Sequence, residues 1–203
     1  MKTHALRCRC GTLQGELRVS RSATRALCYC ADCQAYARFL ASGGTGGTAL
    51  DDSGGTEVVA MHPRDLSFTG GLDALACLSL RPRGLLRWYA RCCRTPIGNT
   101  PRNPRIAYVG VVHSCLGEAA ARRAAFGPVR IAVNTKSAYG PVPAVPLASR
   151  ALAMFNLAGS LLAARLSGSH RQTPFFADGS RAPIHEPYVL TEDERRLAYH
   201  RDA

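Results

Sequence analysis

Nine cysteines lie in this 203-residue chain, and seven of them fall into three tight groups: Cys8 with Cys10; Cys28, Cys30 and Cys33; and Cys92 with Cys93. Short Cys spacings outside an oxidising compartment point to metal or redox chemistry rather than to a disulfide framework. Zinc prefers tetrahedral thiolate coordination, closed by four ligands in a structural site and left with one open position in a catalytic one. Seven ligands therefore suit one closed and one open zinc site. Three thiols within six residues, Cys28-Tyr-Cys30-Ala-Asp-Cys33, would invite oxidation unless a metal held them. The outer groups, Cys8, Cys10, Cys92 and Cys93, are the candidates for a second zinc. Redox sensing through the vicinal Cys92-Cys93 pair is a further option. Cys77, in the apolar run Ala74 to Leu80, and Cys115 read as small buried hydrophobes.

An open three-thiolate zinc binds a fourth thiolate and lowers its pKa, because the cation stabilises deprotonated sulfur. That chemistry suits a thiol substrate. Asp32 and Gln34 are the nearest polar side chains by sequence, either as proton carriers or as supports for the loop. Arg38, Arg87, Arg91 and Arg94 adjoin the cysteines and are candidates to hold an anionic substrate. His113, at a strand end, is a candidate base or ligand, and His4 an exposed terminal residue. Asn99 and Thr100, in the segment Pro96 to Pro101 that reads as a turn-rich loop, offer hydrogen bonds.

These groups need a scaffold that brings distant segments together. Leu13 to Val19 alternates as a strand, and Cys33 to Leu40 reads as a short helix. Ala41 to Gly55, rich in Gly and Thr, reads as a loop. The runs Glu57 to Met61, Asp65 to Phe68, Ala74 to Leu80 and Leu85 to Ala90, divided by turn residues, predict an antiparallel meander, and Ile106 to His113 adds a strand. Beyond Ser114 the pattern turns helical, at Glu118 to Phe126 and Leu147 to Leu166, with the Pro-rich connector 140–146 between them. Thr191 with Glu194 is a capping box that starts a terminal helix at Glu192. The expected architecture is mainly β with an α extension: a zinc-binding β domain over 1–113 and a helical extension over 114–203.

Composition narrows the function classes. Twenty-six Lys and Arg against fourteen Asp and Glu give a net charge of +12. Yet the cations form no basic run, and aromatic residues are only 7% with the single Trp88, so nucleic acid is not the expected partner. The segment Gly43 to Gly47 lacks the ending of a phosphate loop. The N-terminus has no apolar signal region, which makes the cytoplasm the expected address. The uncharged stretch Ala151 to Ala164 is too short to span a bilayer, so no membrane partner is expected. Instead Leu147 to Leu166, apolar around much of its circumference, is predicted to be buried on more than one side, against the β domain and across a homodimer seam.

The order Cys8-x-Cys10-Gly11, Cys28-x-Cys30-x-x-Cys33 and then Cys93-Arg-Thr-Pro96-Ile resembles the glutathione-dependent formaldehyde-activating enzyme family over residues 6 to 112. The resemblance implies a zinc-binding beta-tent of short antiparallel strands. It further implies a catalytic zinc on Cys28, Cys30 and Cys33, a structural zinc on Cys8, Cys10 and Cys93, and a carbon-sulfur lyase activity that joins glutathione to formaldehyde or cleaves the S-hydroxymethyl adduct. A non-catalytic, zinc-stabilised binding module with a basic surface is the alternative. The family's Cys-x-x-Cys-Gly is altered here: Ala90 stands at the first Cys, Cys92 adjoins Cys93, and Arg94 replaces Gly. Either Cys92 supplies the fourth ligand through a vicinal turn, or the site has three protein ligands, or it is lost. Adjacent side chains on an extended strand point to opposite faces, which would turn one of the pair away.

Overall fold

A computed structural model describes residues 2–43, 49–178 and 180–200. Among these described residues, eleven strands form two sheets. The smaller sheet, in the order β1-β2-β5, comprises Thr3–Arg7, Gln14–Arg18 and Leu66–Gly70. The larger contains β3 (Thr24–Cys28), β4 (Thr56–Met61), β6 (Leu75–Ser79), β7 (Leu86–Ala90), β8 (Thr95–Thr100), β9 (Val109–Val112), β10 (Val129–Val133) and β11 (Tyr188–Val189). Its strand order is β10-β3-β4-β9-β8-β7-β6-β11, with parallel pairs only at its two ends. The helices are α1 (Ala31–Ala41), α2 (Ala119–Phe126), α3 (Leu147–Leu166) and α4 (Glu192–Tyr199). The architecture is mainly β with helices that follow and flank it.

The alternating strand β2 turns Leu17 inward and Gln14, Glu16 and Arg18 to water, as half-buried strands do. Leu6 and Leu17 of the small sheet meet Met61, Trp88, Ile97 and Val109 of the large one in a shared core, which also takes in Cys77 and Cys115. Both lone cysteines are buried there, as small hydrophobes. Thr191 caps α4 reciprocally with Glu194, as their spacing predicts.

Three expectations are corrected. The four runs from Glu57 to Ala90 are not consecutive partners: β5 leaves for the small sheet, β4 lies between β3 and β9, and the antiparallel meander runs β6-β7-β8-β9. The segment Pro96 to Pro101 is not a loop, because most of it forms β8, buried along its whole length. A bulge opposite Trp88 and Tyr89 accommodates Pro96, and Gly98 eases a close approach, since a Cβ there would come within 3.2 Å of the Gly110 carbonyl oxygen. Ile106 to His113 is extended only over Val109–Val112. In addition, β10 and β11, from the segment expected as helical, complete the two ends of the large sheet. Part of the 41–55 loop, residues 44–48, lies outside the described residues.

The largest departure is α3. Only Ala153 and Ala164 are buried on it, Ala153 among Val58, Val112 and Ile131, while Leu147, Leu152, Met154, Phe155, Leu162 and Leu166 are exposed. It is not buried on several sides. The helix is also longer than its uncharged stretch: over 20 residues it is long and apolar enough to cross a membrane by length and composition.

Candidate metal centres

Two cysteine clusters form, each from one of the sequence patterns. The first gathers Cys8, Cys10, Cys92 and Cys93, all four Sγ atoms within 4.8 Å of one another. Cys8 and Cys10 lie on the turn that leaves β1. There Gly11 takes a left-handed φ of 80° and donates its N–H to the Cys8 carbonyl at 2.9 Å. This is the bend away from a flat strand that two ligands at this spacing require. Cys92 and Cys93 lie on the β7–β8 turn, not on a strand, so neither is forced away from the cluster. Arg94 closes that turn with φ 53°, a region costly for a residue with a Cβ. Its guanidinium is anchored by a 2.7 Å bond to the Phe39 carbonyl and by stacking on the Phe39 ring.

The sulfur separations are 3.5 Å for Cys8–Cys10, 3.8 Å for Cys8–Cys92, 3.3 Å for Cys10–Cys92 and 3.8 Å for Cys92–Cys93. Ligands of a tetrahedral zinc at ordinary Zn–S lengths stand about 3.8 Å apart, so these four thiols fit a closed thiolate site. Hydroxyls surround it: Thr12 lies 3.2 Å from Cys10 and Thr95 3.0 Å from Cys93, and the Leu13 N–H donates to Cys8 at 3.2 Å. Thr12 and the sulfur of Cys92 pull the Cys10 thiol down to about 6, while burial and the neighbouring thiols push Cys92 up to about 12. Unequal neighbours of this kind mean that negative charge concentrates on one sulfur unless a cation spreads it.

The second cluster holds Cys28, Cys30 and Cys33, again within 4.8 Å of one another, and among the described residues no fourth His, Cys, Asp or Glu joins it. Cys28 ends β3, and Cys30 caps α1, accepting the Cys33 N–H at 3.3 Å. A helix N-terminus favours thiolates through its free N–H groups and dipole. Hydrogen bonds from Cys30 and Cys33 pull the Cys28 thiol down to about 2, and the same contacts push Cys33 far up. Three thiolates here require a cation to share their charge.

Arg87 is the one expected arginine that reaches this cluster. It is almost fully buried, lies 3.9 Å from the Cys33 sulfur, donates to Asn99 at 3.2 Å and stacks on Tyr36. Arg38 and Arg94 instead hold the α1–α4 edge through backbone carbonyls, and Arg91 is exposed. Asp32 accepts from Tyr199 and Arg81, each at 2.5 Å. The Gln34 amide donates to the Tyr29 and Ser137 carbonyls and accepts from Tyr139. Asp32 thus ties the start of α1 to α4 and also lies 3.9 Å from Arg87, while Gln34 braces the loop at Tyr29. Thr100 accepts from the Trp88 indole at 2.9 Å. His113 is bound to the Glu57 carbonyl and His4 to that of Leu116, so both are structural.

Two residues near the triplet carry no sequence signal. Asn134, left-handed at φ 56° just after β10, directs its amide to the Cys28 sulfur at 3.6 Å. Tyr108 precedes β9, and burial, with the charge of Cys28 and Cys33, raises its phenol to about 12. Only the fold brings them there.

The fold and the clusters define a β-sheet protein with two groups of cysteines able to hold metal ions, one of four thiols and one of three. The chain belongs to a family of unknown function, DUF6151, whose model matches residues 1–186. No curated protein matches it. A crystal structure of a Rhodobacter sphaeroides protein is similar at 20% identity, over 64% of this chain and 99% of that one, with a TM-score of 0.42, a likeness that carries no functional argument.

Proposed function

We propose that the chain is a zinc-dependent carbon-sulfur lyase-like protein of the cytoplasm, acting on a small thiol adduct of the S-hydroxymethylglutathione type at Cys28, Cys30 and Cys33. The observation that carries this reading is the unequal pair of clusters: four converging thiols in one, three in the other. Soft thiolates suit zinc, and three of them leave one position for an exogenous ligand. A zinc ion there would supply a site where a substrate thiol ionises near neutral pH. Tetrathiolate zinc at Cys8, Cys10, Cys92 and Cys93 would tie the β1–β2 turn to the β7–β8 turn.

The chain's own residues then have defined tasks. Arg87 faces Cys33 with a fixed positive charge and restrains the excess negative charge of the triplet. Asn134 orients Cys28. In the cleavage direction the C–S bond breaks with its electron pair going to sulfur, while the hydroxyl proton passes to solvent water as the aldehyde C=O forms. In the reverse direction the Tyr108 phenol, held protonated, is a candidate hydrogen-bond donor for the developing oxyanion. The resemblance in the Cys pattern supports the choice of adduct.

The test is turnover of glutathione with formaldehyde, followed by NMR exchange between free and hydroxymethylated thiol. Exchange faster with wild type than with Cys30→Ser supports the reading; equal rates overturn it. The net charge of +12 favours a second reading, a metal-stabilised binding module that meets an acidic partner. Salt-dependent retention on immobilised nucleic acid without thiol turnover would select it.

A further inference from the structure

The most unusual surface of the molecule is α3. Leu147, Ala151, Phe155, Ala158, Leu162 and Leu166 recur along the helix so that all six fall on one outward stripe. The exposures run to 73% for Leu147, 76% for Phe155 and 80% for Leu166, whereas the two buried positions are both alanine. A helix that serves only a soluble core does the reverse, with large residues in and small ones out. At 20 residues the stripe is about 30 Å long.

Charge decides what covers it. From Ala119 to Ala177 the chain carries seven Lys and Arg and no Asp or Glu. Six of the seven are exposed, among them Arg150 and Arg165 on α3 itself, Arg130 on β10 and Arg171 just past the helix. A second copy stacked on this stripe would bring like charges together. Antiparallel helices set Arg150 near the partner's Arg165, parallel ones set each against itself, and no local carboxylate pairs them. The complementary surface is apolar inside and negative at its rim.

We infer that the outward face of α3 docks the protein peripherally on an anionic lipid surface. The helix lies on the bilayer rather than through it, because its opposite face is already packed on the large sheet through Ala153, which meets Val58, Val112 and Ile131. Phe155, Leu162 and Leu166 enter the acyl boundary while the flanking arginines meet lipid phosphates. The expectation of no membrane partner rests on the shortness of the uncharged stretch Ala151 to Ala164, which bears on spanning a bilayer and not on lying along its surface.

The experiment uses the full chain and two sets of vesicles, phosphatidylcholine alone and a phosphatidylcholine–phosphatidylglycerol mixture. Co-sedimentation should be at least about tenfold stronger with the anionic vesicles, fall steeply with added salt, and drop about tenfold in Phe155→Glu and in Arg150→Gln/Arg165→Gln. These positions are exposed, so the variants leave the metal content unchanged. Absence of binding to either vesicle overturns the inference. So does a lipid-free dimer in light scattering that Phe155→Glu converts to monomer, which would make the stripe a seam between copies.

Discussion

Cys10 and Cys92, eighty-two residues apart, hold their sulfurs 3.3 Å from each other, closer than Cys8 comes to either of them. That contact commits the Cys92-Cys93 turn to the same point as the Cys8–Cys10 turn. Cys92→Ser and Cys93→Ser should each remove one metal equivalent and lower the melting midpoint by ~10 °C, as loss of a structural ion from a domain of this size would. Cys77→Ala, in the core but outside both clusters, should keep the full metal content. Retention of metal by Cys92→Ser would show that only three thiols serve the site.

Arg94 holds a left-handed conformation that glycine adopts freely, yet its side chain also anchors α1 at the Phe39 carbonyl. Arg94→Ala loses the anchor and keeps the strain, while Arg94→Gly loses the anchor and relieves it. The glycine variant should therefore be more stable than the alanine variant by about 1 kcal/mol in urea unfolding. Equal stabilities would mean that the turn relaxes without the side chain.

Much of the site was legible because cysteine spacing is a local signal. Cys28-x-Cys30-x-x-Cys33 spans a strand end and a helix start, and that transition alone converges its sulfurs. The Thr191–Glu194 cap was legible for the same reason. What sequence does not carry is register between distant strands. In the sequence, Pro96 and Gly98 break the pattern of β8 and give it the look of a loop, although a bulge absorbs the first and a close backbone approach favours the second. Tyr108 and Asn134 meet the triplet only through the pairing of β9 with β4 and of β10 with β3. Helix α3 misled because apolar periodicity gives the width of an apolar face but not what covers it.

Glu57 accepts from Arg25 at 2.9 Å and from Arg122 at 3.2 Å in a half-buried triad. Burial alone would raise its carboxyl, but the two guanidiniums outweigh burial and hold it below the usual carboxylate range. A depressed folded-state pKa contributes stability that is present above the unfolded value and lost as pH falls through the folded one. Glu57→Gln should thus cost about 3 kcal/mol at neutral pH, since it leaves two arginines facing each other. The difference from wild type in melting midpoint should shrink as pH drops through the acid range. A difference constant with pH would show that packing, not charge, sets the loss.

Arg87 stands between the triplet and the core, near Cys33, Asn99 and Tyr36. Arg87→Met should keep the aromatic contact yet weaken metal retention at the triplet about tenfold in chelator competition, leaving the four-thiol cluster unaffected. Equal loss from both clusters would assign Arg87 to general stability instead.

The account rests on two metal sites of unequal ligation, and zinc per chain in protein purified without added metal tests it most directly. We predict about two zinc ions for wild type, and about one each for Cys30→Ser and Cys93→Ser. In the Cys93→Ser protein the remaining ion should still accept an added thiol, read as a change in its X-ray absorption sulfur shell. No zinc in wild type, or a single ion that survives Cys30→Ser unchanged, would contradict an open thiolate site at Cys28, Cys30 and Cys33.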